Sequence, residues 1–150
     1  MAISDSYFTA AQYRSAISKT DTGDDTQIAT DAKAISSYLE RRVGRFFTRD
    51  AAVVARAYMP DHLAGGDGRT LLIDDVSTLT GLIVTIDTDG DGIFTDETAI
   101  VVNTDYIMQP ENAALGPEPE PWTAIWLTTW GTYRSWPQGK RVQVTARFGW

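Results

Sequence analysis

The segment DTDGDGIFTDET, residues 87–98, places Asp87, Asp89 and Asp91 on alternate positions and follows them with Gly92. Carboxylates at this spacing, closed by a glycine bend, are hard oxygen ligands of the kind that hold Ca2+. Set against a twelve-residue EF-hand loop, the three aspartates fall on ligand positions and Ile93 would offer its carbonyl at the seventh. The twelfth position should be a bidentate glutamate and is Thr98, with Glu97 one place early. The flanks LIVTI and AIVVN read as strands, whereas an EF-hand needs helices. The segment is therefore expected at a hairpin tip, where Asp87, Asp89, Asp91 and Asp96 are candidate ligands for a structural Ca2+. The alternative is a turn without metal, in which DGDG supplies residues tolerant of positive φ.

Other chemistry is thin. His62 is the only histidine and sits in MPDHLAGGDG, beside proline and glycine, with no GxSxG or comparable nucleophile motif in the chain. GGDG at 65–68 lacks the spacing of a phosphate-binding loop and runs into RTLLIDD, which reads as a strand and not as a helix N-terminus. Asp74 and Asp75 are neighbours on a strand and so point to opposite faces. Cysteine is absent, which excludes thiolate metal sites, cysteine nucleophiles and disulfides. No enzymatic role is expected from this set.

These residues must be positioned by a chain of 150 residues, 43% of them apolar, which suits one globular domain with a real core. The start, MAISDSYFTAAQYRS, lacks the basic end and apolar run of a signal peptide, and no stretch approaches the roughly 20 apolar residues of a membrane span. Synthesis in the cytosol and no membrane partner are the expectation. The net charge of −7 is unevenly spread: residues 60–121 hold thirteen acids against Arg69, while residues 122–150 hold four bases and no acids. A surface that grips DNA through its phosphates carries the opposite sign, so ordinary DNA binding is not expected.

Helices come first. FTAAQYRSAIS has Thr9 as N-cap and Gln12 three positions on, a capping box, and predicts a short helix. TQIATDAKAISSYLERRVGRFF carries Ile28, Ala32, Ile35 and Leu39 at spacings of four, three and four, the stripe of an amphipathic helix expected to face the core. Asp24 or Asp25 would cap it, with Arg41 and Arg42 near its end, where cations suit the dipole. From residue 51 the pattern turns to β: AVVARAY, RTLLI, LTGLIVTID, TAIVVN, DYIMQ, TAIWLTTW and RVQVTARF are short and rich in Val, Ile, Thr and aromatics. The fold class expected is α+β, with a helical part over 1–50 and a mostly antiparallel β-rich part over 51–150, a sandwich or a curled sheet. GPEPEP, residues 116–121, should be an extended exposed connector.

ISSYLERRVGRFF at the end of the second helix, then LLIDDVSTLTGLIVTID, then TDYIMQPENAALG, then the closing KRVQVTARFGW form a series. In that order, over nearly the whole chain, they resemble the head-to-tail connector (adaptor) family of tailed bacteriophages. The resemblance implies a non-enzymatic neck protein of the virion, assembled in the host cytoplasm as a ring of about a dozen copies below the portal. It also implies the portal protein and stopper or tail proteins as partners, with genomic DNA passing through the lumen. The hairpin DTDGDGIFTDET is longer than a minimal family hairpin.

A subunit in a closed ring needs two unlike, complementary patches. The candidates are the basic helix end, Arg41, Arg42, Arg45 and Arg49, facing the acidic middle of an adjacent copy; the alternative is that these arginines cap or pair within the subunit. Of the five tryptophans, Trp122, Trp136 and Trp150 are candidate interface anchors; sheet core is the competing account, favoured for the alternating Trp126 and Trp130. The acidic excess over 60–121 would face the channel and repel phosphate, so that DNA slides without sticking. The other reading of the chain is a calcium-dependent β-rich binding module.

Overall fold

The computed structural model describes residues 6–45, 49–60, 68–115 and 120–149. His62, Phe46, Trp150 and most of GGDG and GPEPEP lie outside the described residues. The chain divides into two compact units, Met1–Thr48 and Arg49–Trp150. The first is helical and the second holds a six-stranded sheet, so the protein is mixed α+β with a β-rich region. Among the described residues no helix is long and apolar enough to cross a membrane.

In the first unit, α1 spans Ala10–Ala16 and α2 spans Asp25–Val43. The capping box at Thr9 forms in both directions: Gln12 N donates to Thr9 Oγ1 at 3.2 Å, and Thr9 N donates to Gln12 Oε1 at 2.7 Å. Asp24 is the N-cap residue of α2, but its carboxylate takes the Lys19 ammonium at 2.6 Å instead of capping the helix. Gly44 ends α2 in the left-handed region at φ 70°, a conformation that costs glycine nothing, with its N–H on the Glu40 carbonyl.

The apolar stripe of α2 faces inward only in its first half, at Ala32 and in part at Ile28, and its second half does not. The buried residues are Ala32, Ser36 and Glu40, whereas Ile35 and Leu39 are exposed and Ile28 is half-buried. Polar pairing decides this. Tyr7 N donates to Ser36 Oγ at 3.1 Å, the Tyr7 hydroxyl donates to Glu40 at 2.5 Å, and the Ser36 hydroxyl bonds back to the Ala32 carbonyl. The N-terminal segment therefore covers the face with small and hydrogen-bonding side chains.

In the second unit the strands are β1 (Val54–Tyr58), β2 (Thr70–Ile86), β3 (Ala99–Ile100), β4 (Tyr106–Gln109), β5 (Trp122–Leu127) and β6 (Val142–Phe148). The sheet order is β1-β6-β2-β5-β4, with β3 on β2, and every strand pairing is antiparallel. Two segments that read as separate strands, RTLLI and LTGLIVTID, join as the 17-residue β2. Residues 70–76 pair with β5 and residues 84 and 85 with β3, while β6 pairs along residues 76–86, its register slipping between Val76 and Ile83, where Gly81 sits at φ 79°. β6 alternates strictly, burying Val142, Val144, Ala146 and Phe148 at its inward positions. These meet Val76, Val84, Ile86, Ile125, Leu127 and Trp136 in one core.

Candidate functional site

The loop between β2 and β3 is built on Asp87. Its N–H donates to the Arg141 carbonyl at 3.0 Å, and its side chain is almost fully buried. One carboxylate oxygen accepts from Gly90 N at 2.6 Å and the other from Gly92 N at 3.1 Å. Both glycines have positive φ, 86° and 82°, which aims their N–H groups at one anchor. Asp89 and Asp91 repeat the pattern locally, accepting from Asp91 N and Ile93 N at 3.1 and 2.7 Å. On the far side Glu97 takes Thr88 N at 2.6 Å and the Thr88 hydroxyl at 2.8 Å. The hydroxyl, then the Thr88 amide, hold the Glu97 carboxyl below its usual range.

The spacing seen in the sequence thus brings three carboxylates together: ligand atoms of Asp87, Asp89 and Asp91 lie within 4.8 Å of one another. Asp96, the fourth candidate, is exposed and does not join them. Glu97 is committed to Thr88, two residues of chain that the turn closes on each other. A carboxylate has about four lone-pair sites, so the single amide bonds on the Asp87 oxygens leave acceptor capacity. Three carboxylates supply part of the six to eight oxygens Ca2+ takes, and carbonyls or water would have to complete the shell. Cations of the chain already approach: Lys140 Nζ stands 2.7 Å from where a Cβ on Gly90 would lie, and an Arg141 nitrogen 3.8 Å from one on Gly92.

Two of the tryptophans depart from their expected places, Trp136 and Trp130. Trp136, expected at an interface, is only 2% exposed and belongs to the sheet core, its Nε1 donating to the Arg69 carbonyl at 2.8 Å. Trp122 is partly buried against the same core. Trp126 lies partly buried on β5 under the Arg69 guanidinium, 3.9 Å from its ring centre. Trp130, expected in the core by alternation with Trp126, lies beyond the end of β5 and is 69% exposed. The chain leaves the strand at Thr128, whose buried hydroxyl turns to the Thr104 and Asp105 carbonyls. Gly131 then passes so close to Asp105 that a Cβ would stand 2.6 Å from its Cα. Period-two alternation stops where the strand stops.

Of the basic candidates, Arg41 and Arg42 occupy the last turn of α2 and are exposed, with Arg41 Nε donating to the Ser37 carbonyl at 3.2 Å. Arg45 follows the helix in the same unit, and Arg49 belongs to the β unit. Two further apolar side chains stand exposed, Tyr38 on α2 and Ile93 in the acidic loop. The signal available for Tyr38 was its place three residues after Ile35, on the stripe already identified. A second charged cluster, Arg56 with Asp50 at 3.2 Å and Asp74 at 2.8 Å, is closed by the Tyr58 hydroxyl donating to Asp74 at 2.9 Å. Arg56 also stacks 4.1 Å above Phe148, which makes the cluster a fastening of β1 to the sheet. Comparison with protein-family models, with curated proteins and with solved structures finds no match to this chain.

Proposed function

We propose that the chain is a structural head-to-tail adaptor of a tailed bacteriophage, a non-enzymatic neck subunit that assembles as a ring below the portal and joins it to stopper or tail proteins. The observation that carries this reading is the exposed second half of the α2 stripe: Ser36 and Glu40 lie inside with Ala32, and Ile35, Tyr38 and Leu39 are left in water. Exposed apolar surface on a helix marks a surface meant for another molecule. The order of elements, helices and then a sheet, agrees with the series of motifs that resembles the family. The change of partners along β2 favours a curled sheet over a sandwich. The acidic stretch over 60–121 would line the lumen, where repulsion of phosphate lets DNA pass. The test is a virion map together with co-sedimentation of the chain and portal. Density for this chain in the collar under the portal vertex is the expected result; its presence elsewhere in the particle, or none, overturns the reading.

A second reading, a calcium-dependent β-rich binding module, is favoured by one observation, the three carboxylates of Asp87, Asp89 and Asp91 within 4.8 Å. Calorimetric titration with Ca2+ tests it. Saturable binding lost in Asp89→Ala supports a metal loop, and no heat above dilution removes it.

A further inference from the structure

The outer face of α2 is a continuous stripe. Ile35, Tyr38 and Leu39 are 49%, 62% and 42% exposed, and Arg42 follows at the next turn. Positions i, i+3, i+4 and i+7 lie side by side on a helix. Within the helical unit, the buried apolar residue among those described is Ala32. So small an apolar interior stabilises a helix pair weakly, and the stripe leaves water only when another surface covers it.

The β2–β3 loop has the matching chemistry. Ile93 is 53% exposed, and Asp89, Asp91 and Asp96 around it in the chain are exposed too. An apolar knob among carboxylates is the complement of an apolar stripe that ends in arginines. The complementarity is local: residues 1–48 hold six bases and six acids and are neutral as a whole, with Arg41 and Arg42 gathered at the end of α2, whereas residues 49–150 hold seven bases and fourteen acids and carry the whole excess of −7.

We infer that the Ile35–Tyr38–Leu39 stripe of one copy docks on the Ile93 loop of a second copy, with Arg41 and Arg42 against Asp89 and Asp91 at the rim. Helix and loop are unlike surfaces, so the contact is heterologous, and repeated about an axis it closes a ring. It rests on the adaptor reading and names the two surfaces that join its neighbours.

The absence of cysteine makes the test clean. Full-length Leu39→Cys and Ile93→Cys chains, mixed and oxidised, should yield a disulfide-linked pair that neither forms alone. A chain carrying both substitutions that links only within itself means its own helix covers its own loop, and overturns the inference. Charge reversal gives an independent measurement by light scattering. R41E/R42E and D89R/D91R should each lose the assembled species, and an equimolar mixture should recover it, because each helix then meets an opposite loop on its neighbour. Variants that assemble like the parent chain, or a mixture that stays monomeric, overturn the contact. Assembly of the parent chain without the cross-link leaves the adaptor reading standing and removes this contact. A cross-linked pair from a chain missing in the virion collar does the reverse.

Discussion

The Trp136 indole donates its N–H to the carbonyl of Arg69, 2.8 Å away, across 67 residues of sequence. Arg69 in turn gives its Nε and one terminal nitrogen to the Leu127 carbonyl at 2.9 and 2.5 Å, and lays its guanidinium on Trp126. One residue just before β2 therefore holds the loop after β5 and the end of β5 together. Trp136→Ala should destabilise the β unit by roughly 3 to 5 kcal/mol, the cost of an emptied aromatic site. Trp136→Phe should cost about 1 kcal/mol, since the Arg69 carbonyl keeps its bond from Leu127 N at 3.0 Å. Denaturant unfolding of both variants checks the ordering.

Asp105 fastens two loops with one carboxylate, accepting from Thr132 N and Val101 N, both at 2.8 Å. The Thr132 amide, then the Val101 amide, hold its carboxyl below the usual range against the opposing effect of burial. A depressed folded value means the stabilisation is fully present above the unfolded carboxylate pKa of about 3.9 and is lost as pH falls through the folded value. Asp105→Ala should cost roughly 1 to 3 kcal/mol at neutral pH by stranding those amides, and should flatten the acid limb of the stability curve.

Gly131→Ala should fail for a steric reason. The added Cβ would stand 2.6 Å from Asp105 Cα and 3.0 Å from its carbonyl oxygen, and backbone does not yield as a side-chain tip does. A loss of about 1 to 3 kcal/mol is expected, with Trp130 fluorescence reporting the displaced loop.

Two of the tyrosines should ionise late. Burial raises the Tyr106 phenol to about 12, with the Asp105 charge adding to it. Burial raises Tyr58 further, followed by its bond to Asp74. Raised folded values favour the protonated form, so the stability these groups lend is whole below the unfolded tyrosine pKa of about 10 and declines as pH rises beyond it. Ultraviolet difference titration of Asp74→Ala should show Tyr58 ionising earlier while Tyr106 stays in place.

Local signals in the sequence settled local structure. Thr9 and Gln12 stand three apart, and their capping box depends on nothing beyond one helical turn. Gly44 closes α2 for the same reason. RVQVTARF read as a strand from its residue types, and its alternation then has one solution, because a strand has two faces and its apolar set has one place to go. The aspartates at 87, 89 and 91 were legible as a cluster because a tight turn converts spacing directly into distance.

Pairing over long separations is what only the tertiary structure decided. Periodicity identified the stripe Ile35–Leu39, but whether a stripe is covered depends on what competes for the helix, and Tyr7 reaches Ser36 and Glu40 from about 30 residues away. RTLLI and LTGLIVTID became one strand because β6 and β5 each pair with part of it, a fact no window along the chain contains. Trp136 and Trp130 exchanged their expected places because Asp105, distant in sequence, fixes where β5 ends. Spacing records which side chains share a face, and long-range hydrogen bonds choose which face meets water.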